Sequence, residues 1–381
     1  MSHARVVLTL LVLVGACMDD APRYELSGLT VLTEDFTEVC SDSFPYFERR
    51  LAWLEHETGL RRDPAGLVFY WYLNGAPSKK CSTGTGNCAV GRSFYAEWFA
   101  FSHELVHAHL SRLGRPRVWL SEGMAVMLED DRALAVDDYQ TPSEMMKIED
   151  ALDLDYSNAG GFTSYLRERY GMAQLLEYYE ASADAGADAA VEIFGDVFGQ
   201  GFADVEAEYL ALDVSLRSGS LSCDALEIAW TGETWEHDFI LACDEPGSLG
   251  PQQTWNDGDD DKGPGLFSKV TMTVPPGPVT FELASTEPVW ITVSGCDRPE
   301  WVNLTPDELQ VGADLLGGKY VVTATSYMDP VATATLSARR LAAGRVAGRS
   351  KIAAQPIGPT RSQTHPCKAR HAAQPSHAAP G

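Results

Sequence analysis

The spacing of hydrophobic and polar positions differs between the two parts of the chain. In the first part, two β-type stretches predict strands at Tyr24–Leu32 and Gly66–Leu73. Apolar residues at helical spacing predict helices over the following ranges: Phe44–Thr58, Ser93–Leu113, Val118–Arg132, Gly160–Tyr179 and Ala187–Leu212. The residues Thr-Pro-Ser-Glu at 141–144 are typical of a further helix start. This part therefore predicts a small strand layer followed by many helices.

Near Cys223 the pattern changes to short β-type runs punctuated by Gly and Pro. The runs cover the following ranges: Cys223–Trp230, Phe239–Cys243, Leu266–Val274, Val279–Leu283, Val289–Val293, Lys319–Thr325 and Val331–Leu336. Their regular spacing predicts an all-β, sandwich-like domain. From Arg339 onward the chain has no periodic apolar pattern and is rich in Ala, Pro, Gly, Arg and His, which predicts a disordered tail.

The pattern as a whole predicts the α+β class and five segments. We expect a mostly helical domain with a small N-terminal strand layer, then the sandwich-like domain and a disordered basic tail. With the N-terminal segments, the predicted boundaries are a signal peptide at 1–16, a linker at 17–23, the helical domain at 24–215, the β domain at 220–338 and the tail at 339–381.

The N-terminus has the features of an export signal. Arg5 precedes the short apolar run Val6–Val14, and Gly15 and Ala16 then lead to Cys17. The sequence Val-Gly-Ala-Cys resembles the lipobox of bacterial lipoproteins, which implies cleavage before Cys17 and a lipid on its sulfur. The other interpretation is an ordinary signal peptide with an incidental cysteine. Either signal predicts export from the cytoplasm, and the first also predicts lipid attachment to a membrane of the cell envelope.

Composition narrows the possible functions. The 381 residues include 54 acidic and 29 basic side chains, giving a formal net charge of -25. Nucleic-acid binding requires clustered basic residues to neutralise phosphates, so this balance argues against a nucleic-acid partner. The hydrophobic fraction of 45% is that of a globular protein.

The cysteines suit an exported, disulfide-bonded protein. Apart from Cys17 and Cys367, six remain as candidate disulfide cysteines: Cys40, Cys81, Cys88, Cys223, Cys243 and Cys296. The sequence leaves their connectivity open. Cys81 and Cys88 could close a turn-rich loop, and Cys243 and Cys296 could staple the β region, which would leave Cys40 and Cys223 to link the two halves. A zinc cluster is disfavoured because the sequence has no C-x-x-C pair.

The strongest chemical motif is H-E-x-x-H at residues 103–107. His103 and His107 lie four residues apart in a predicted helix, so both imidazoles leave the same helix face. This spacing suits two ligand positions of tetrahedral zinc, and Glu104 could take a proton from a metal-bound water. An exposed amphipathic helix with two histidines is the other interpretation. It is disfavoured because much of this helix is apolar.

A third ligand is expected in the next helix. The segment Trp119–Ala125 follows a Gly/Pro break, so a helix hairpin would return Glu122 to the first helix. Two histidines, a glutamate and a water form a known catalytic zinc site. The alternative is that Glu122 only favours the positive end of its helix.

These two segments, H-E-L-V-H-A-H-L and W-L-S-E-G-M-A, resemble the gluzincin metallopeptidases, and most of all the peptidase MA-like domains of exported bacterial proteins. The resemblance covers about residues 45–212 and does not reach the β region. It implies a zincin-like fold for the helical domain and a zinc cofactor. It also implies that His103, His107 and Glu122 bind zinc and that Glu104 is the general base.

The segment Tyr156–Phe162 is similar to the gluzincin segment that begins with a tyrosine stabilising the transition state. The resemblance makes Tyr156 the hydrogen-bond donor to the oxyanion, and an ordinary packing tyrosine is the other interpretation. His109 lies well off the ligand stripe of its helix, so we do not expect it to bind the metal. Asp130 and Asp131 could support a ligand histidine, although acidic surface is the simpler interpretation.

The expected function is that of an exported zinc-dependent metallopeptidase. It would hydrolyse peptide or protein substrates with zinc-activated water, and Cys17 would anchor it to a membrane through lipid. The alternative is a non-catalytic surface lipoprotein that binds a partner through a degenerate peptidase fold and its β domain.

Overall fold

A computed structural model of the chain describes residues 22–341, apart from 34–35, 37, 74–80, 82–86, 97–101, 130–139, 213–222, 224, 253–263, 297–300 and 328–330. The expected signal peptide, Cys17, most of the linker and the tail beyond residue 341 lie outside the described residues. Within them, each helix is too short or too polar to cross a membrane. The mixed α+β class is confirmed.

The first part of the chain contains a five-stranded mixed sheet, whereas the sequence predicts only two of its strand regions. Its strands are β1 (Arg23–Leu26), β2 (Leu29–Thr33), β3 (Leu67–Trp71), β4 (Cys88–Val90) and β5 (Ser93–Ala96). They lie in the order β1-β2-β3-β5-β4, with β3 parallel to β2 and β5, and both edge strands antiparallel to their neighbours. The predicted strand Tyr24–Leu32 is a hairpin because Gly28, at a φ of 80°, forms a turn inside it.

The prediction of a helix over Ser93–Leu113 is wrong at its N-terminal end, where β5 runs instead. Phe94 stacks on Phe69 of β3 with ring centroids 4.6 Å apart, and Tyr95 stacks on Tyr70 at the same distance. Such cross-strand aromatic pairs stabilise a sheet, and here they outweigh the helical spacing of the sequence.

Eight helices are described, and their bounds are α1 (Ser43–Thr58), α2 (Ser102–Leu110), α3 (Val118–Leu128), α4 (Pro142–Met145), α5 (Tyr156–Tyr170), α6 (Met172–Ala181), α7 (Ala187–Phe198) and α8 (Phe202–Leu210). The predicted start of α4 is confirmed by a capping box between Thr141 and Glu144. Two predicted long helices are each divided in two. Gly171 and Gly199 have φ values of 86° and 69°, which end α5 and α7.

The later part of the chain forms two antiparallel sheets. Their strands are β6 (Thr234–Leu241), β7 (Leu249–Gln252), β8 (Gly265–Val274), β9 (Gly277–Ser285), β10 (Val289–Gly295), β11 (Trp301–Leu304), β12 (Gln310–Leu315), β13 (Gly318–Tyr327) and β14 (Ala332–Arg340). The sheet orders are β11-β10-β13-β8-β7 and β12-β9-β14-β6. Side chains from both sheets, among them Ile291 and Phe281, share one hydrophobic cluster, so the sheets pack face to face. The strand β14 runs past the expected domain end at residue 338.

The two parts of the chain are joined at the start of α1. Ser43 Oγ accepts a hydrogen bond from the Gly250 N–H and donates one to the Gly250 carbonyl oxygen, each at 3.0 Å. Tyr46 of α1 packs against Phe267 of β8, with ring centroids 6.3 Å apart. Phe267 thereby belongs to the hydrophobic cluster of the first part.

The six candidate cysteines form three disulfides: Cys40–Cys243, Cys81–Cys88 and Cys223–Cys296. The loop closure by Cys81 and Cys88 agrees with the expectation. The other two suggested pairs are wrong, because the contact between α1 and the β-sheets brings Cys243 to Cys40. These disulfides indicate an exported, non-cytoplasmic protein.

Candidate metal centre

The centre lies where α2 and α3 pack together as a helix hairpin. His103 and His107 project from one face of α2, one helical turn apart. The chain turns back at Gly114, which has a φ of 96°. Arg117, directly before α3, donates side-chain hydrogen bonds to the backbone carbonyls of Met146 and Ile148. With the chain reversed in this way, Glu122 in the second turn of α3 lies beside the two histidines.

Three side-chain atoms from these helices converge on one point. Glu122 Oε2 lies 3.0 Å from His103 Nε2 and 3.2 Å from His107 Nε2. The two Nε2 atoms are themselves 3.2 Å apart. One ligand atom from each residue lies within 4.8 Å of the others, so the group could hold a metal ion. The structure therefore brings together the three residues that the sequence singles out.

The hydrogen bonds behind the histidines suit a cation at this point. His103 donates Nδ1–H to Glu129 Oε2 at 3.0 Å, which leaves a lone pair on Nε2. His107 makes the corresponding contact with Ser121 Oγ at 3.3 Å. Two imidazole lone pairs and a carboxylate oxygen then face one another. A metal ion satisfies such a set of acceptors, as does a proton.

The electrostatics of the centre also favour positive charge at this point. Burial by itself lowers the pKa of His103, but hydrogen bonds to Glu122 and Glu129 outweigh burial and raise this pKa to about 10. Burial would raise the pKa of Glu122, but the two histidines hold it far below its usual range. The two carboxylates thus stabilise a proton on His103, at the point where a cation would bind.

Glu104 and Tyr156 complete the surroundings of the three ligands. Glu104 is only 7% exposed. Burial is the largest influence on its carboxyl and raises its pKa above the ordinary value, although both histidines act to lower it. The ring of Tyr156, in the first turn of α5, lies 5.8 Å from the His103 ring. Burial, followed by the charges of Glu122 and Glu104, raises the pKa of the Tyr156 phenol, so this phenol keeps its proton.

Two glycines let α3 and α5 approach closely, which sets the position of Tyr156. A Cβ at Gly123 of α3 would lie 2.6 Å from the Ala159 carbonyl oxygen of α5. A Cβ at Gly160 of α5 would collide with the Val126 side chain of α3. The helices can therefore pack at this distance only with glycine at both positions.

Glu129 is the functional residue that the sequence reasoning missed. It directly follows α3 and is 3% exposed. The sequence analysis considered Asp130 and Asp131 for this supporting role, and both lie outside the described residues. Helical spacing could have indicated Glu129, because it follows Glu122 by two helical turns and shares its face.

His109 points away from the centre, as expected. Its Nε2–H donates to Thr58 Oγ1 at 3.1 Å, and the Thr58 hydroxyl in turn donates to the Leu54 carbonyl oxygen. Burial lowers the pKa of His109 to about 4, so the ring is neutral at physiological pH. The hydrogen bond explains how a histidine is accommodated in the core.

Comparisons with known proteins do not identify a family for this chain. No protein-family model matches the chain. No curated protein matches it in sequence. Among solved structures, the pre-peptidase C-terminal domain of a Bacillus anthracis collagenase aligns at 11% identity, covering 31% of this chain and 97% of that chain with a TM-score of 0.21. The Salmonella Typhimurium periplasmic inhibitor of g-type lysozyme aligns at 9% identity, covering 30% and 97%, with a TM-score of 0.19. Likenesses this weak assign neither a fold nor a function.

Proposed function

We propose that the protein is an exported zinc-dependent metallopeptidase with a gluzincin-like centre. The observation that carries the proposal is the convergence of His103, His107 and Glu122 beside the buried carboxyl of Glu104. A site that only binds a metal requires the three ligands. It does not require an acidic side chain held out of water next to them.

The donor set favours zinc over harder cations. Two imidazole nitrogens and one carboxylate oxygen are ligands that zinc accepts, whereas calcium and magnesium take oxygen ligands almost alone. His103, His107 and Glu122 would hold the zinc, and three protein ligands are the number that catalytic zinc sites use. When bound, zinc supplies a Lewis acid that lowers the pKa of a coordinated water toward 7.

Glu104 performs the proton transfers in this proposal. Its carboxylate accepts a proton from the attacking water and passes that proton to the leaving amine. Its burial and the resulting rise in pKa suit a group that must both accept and donate a proton near neutral pH.

Tyr156 stabilises the negative charge that develops on the carbonyl oxygen. Its phenol remains protonated because burial and two nearby carboxylates raise its pKa, so it can donate a hydrogen bond. The close crossing of α3 and α5 holds the hydroxyl near the centre.

The edge strand β4 offers a place for an extended peptide. It pairs with β5 on one side, and among the described residues no strand pairs with its other side. It also packs against α2, the helix that carries both histidines. A peptide that adds to this edge would place its backbone beside the centre.

The cellular location belongs to the same proposal. The three disulfides indicate export, and the lipobox-like sequence ending at Cys17 supports cleavage there and lipid attachment. We therefore place the enzyme at the cell envelope, anchored to a membrane and acting on peptide or protein substrates.

Cleavage of a peptide library by the full chain tests the proposed activity, with Glu104→Gln as the diagnostic variant. We expect the substitution to lower kcat by about 10²–10⁴-fold while bound zinc is retained, because it removes the proton acceptor and no ligand. Glu192→Gln, at an exposed position of α7, is the matched control.

Cleavage should also stop when a chelator removes the metal. Equal cleavage by the wild type and Glu104→Gln would contradict the proposed mechanism. A wild-type chain that binds zinc and cleaves no peptide would favour a non-catalytic binding lipoprotein instead.

A further inference from the structure

One outward face of the β-sheets presents tryptophan side chains among hydroxyl groups. In β10, alternate residues Val289, Ile291 and Val293 belong to the hydrophobic core, so Trp290 and Thr292 face outward. In the neighbouring edge strand β11, Val302 and Leu304 are core residues. Trp301 and Asn303 therefore point outward, and Trp301 is 38% exposed.

Strand register arranges these outward residues in rows. Thr292 lies between Asn303 of β11 and Thr323 of β13, which forms a polar middle row. Trp290 lies opposite Thr325 in one flanking row, and Trp301 lies opposite Ser294 in the other. Trp290 and Ser294 are four residues apart along β10, so the backbone positions of Trp290 and Trp301 are about 13 Å apart along the strand direction.

Neighbouring segments close both sides of this surface. On one side, Tyr46 of α1 covers Phe267, the residue beside Thr325. On the other side, Thr271 Oγ1 donates to the Ala225 carbonyl oxygen at 3.1 Å, so the chain near residue 225 covers that row. The exposed part is a trough with a tryptophan on each flank and a floor of hydroxyl and amide groups.

Contacts at one flank hold its aromatic ring in place. Tyr327 packs edge-on against Trp290, with ring centroids 5.5 Å apart. An indole fixed by such packing loses little conformational entropy when a ligand stacks on it. The Trp290 ring is therefore preorganised to stack on a ligand with flat, weakly polar faces.

Charge distinguishes this trough from the rest of the molecule. The six residues that line it carry no charge, and they are Trp290, Thr292, Trp301, Asn303, Thr323 and Thr325. Lys269 of β8 lies opposite Thr323 at the end of the middle row, where its ammonium packs 5.8 Å from the Tyr46 ring and 5.7 Å from the Phe267 ring. The outward face of the other sheet carries exposed carboxylates, and these are Glu236, Asp238, Glu282 and Asp314. In a chain with a net charge of -25, a surface lined by hydroxyl, amide and indole groups, whose neighbouring lysine already packs on two aromatic rings, suits an uncharged ligand.

We propose that this trough binds an uncharged polysaccharide. The apolar faces of sugar rings stack on Trp290 and Trp301, and their hydroxyls exchange hydrogen bonds with Thr292, Thr323 and Asn303. An extended polymer would lie along the trough, from Asn303 of the edge strand β11 across β10 to Thr323 of β13, and Lys269 lies at the far end of this row. The proposal is independent of the metal centre and of catalysis.

Retention of the full chain on insoluble cellulose and chitin tests this inference. Gelatin-coated beads serve as the protein-ligand comparison. We expect the wild type to be retained on at least one polysaccharide, and Trp290→Ala and Trp301→Ala to bind about tenfold more weakly or worse. Ile240→Ala is the control, because Ile240 is 44% exposed on the other sheet and its loss should leave retention unchanged.

A nearly isosteric variant keeps the test decisive if either tryptophan variant fails to fold. Thr292→Val removes one floor hydroxyl and suits a strand, so it should fold and should bind severalfold more weakly. Wild-type protein that is retained on neither polysaccharide overturns the proposal. So does retention on gelatin alone, or unchanged retention of all three trough variants.

Discussion

The proton on each histidine ring decides what the centre can bind. Because Glu129 accepts the Nδ1–H of His103, the Nε2 atom of that ring is directed at the ligand point, where it could bind a metal in place of its proton. Ser121 faces Nδ1 of His107 in the same way. A carboxylate behind one histidine and a hydroxyl behind the other thus orient both rings from α3.

Glu129→Gln should therefore weaken zinc binding by about 10–100-fold, because an amide orients His103 less firmly and supplies no charge. Competition with a chromophoric chelator measures this change in affinity. Glu192→Gln should leave the affinity unchanged. Zinc affinity that stays at the wild-type value in Glu129→Gln would show that this carboxylate does not support the centre.

The sequence was a good guide to the residues at the ligand point. His103 and His107 could be predicted to share a helix face from their spacing alone, and Glu122 from the helix hairpin. Glu129 follows Glu122 by two helical turns, so the same spacing could have indicated it ahead of the neighbouring Asp130 and Asp131.

Helix packing connects the ligands to Tyr156. The α3–α5 crossing depends on Gly123 and Gly160, and Tyr156 lies one turn before Gly160 on α5. The separation of these helices thus sets the distance between the phenol and Glu122. A substitution that separates α3 from α5 should therefore also move Tyr156 away from Glu122.

Gly160→Ala should push α5 away from Val126. We expect it to lower the free energy of unfolding by about 1–3 kcal/mol, the usual cost of overpacking. It should also lower kcat as Tyr156 moves. Chemical denaturation and peptide cleavage measure the two effects.

Gly195→Ala is the matched control for this substitution. Gly195 lies within α7, and an added Cβ there would meet nothing within 4 Å. Alanine at this position should leave stability unchanged or raise it slightly. Equal stability of the two variants would contradict the tight α3–α5 crossing.

Long helices could be predicted from the sequence more reliably than short strands. Long amphipathic helices such as α1 could be located because many residues repeat the same spacing. The strand β5 could not, since its four residues also fit a helical pattern and pair with β3 only after the chain folds. Short edge strands such as β4 and β11 carry too few residues to show a period.

At the scale of the whole molecule, the contact between α1 and the β-sheets unites the two parts. The disulfide Cys40–Cys243 spans 203 residues and closes this contact covalently, whereas Cys81–Cys88 spans 7 residues. Sequence could not show this pairing, because Cys40 and Cys243 meet only through packing between the two parts. It could show the local loop between Cys81 and Cys88.

Loop length predicts different costs for losing these disulfides. The double substitution Cys40→Ser with Cys243→Ser should lower stability by about 5 kcal/mol, because the long loop restricts the unfolded chain most. Cys81→Ser with Cys88→Ser should cost about 2 kcal/mol by the same argument. Equilibrium unfolding of both variants checks the ranking, and the reverse order would contradict the joining role of Cys40–Cys243.

The zinc content of the purified full chain, measured beside His107→Ala, tests the central claim most directly. The account predicts one tightly bound zinc ion per wild-type chain and its loss in the variant, since His107 supplies one of three ligands. A folded wild-type chain that takes up no zinc, or a variant that keeps it, would contradict the metal centre and the peptidase mechanism that depends on it.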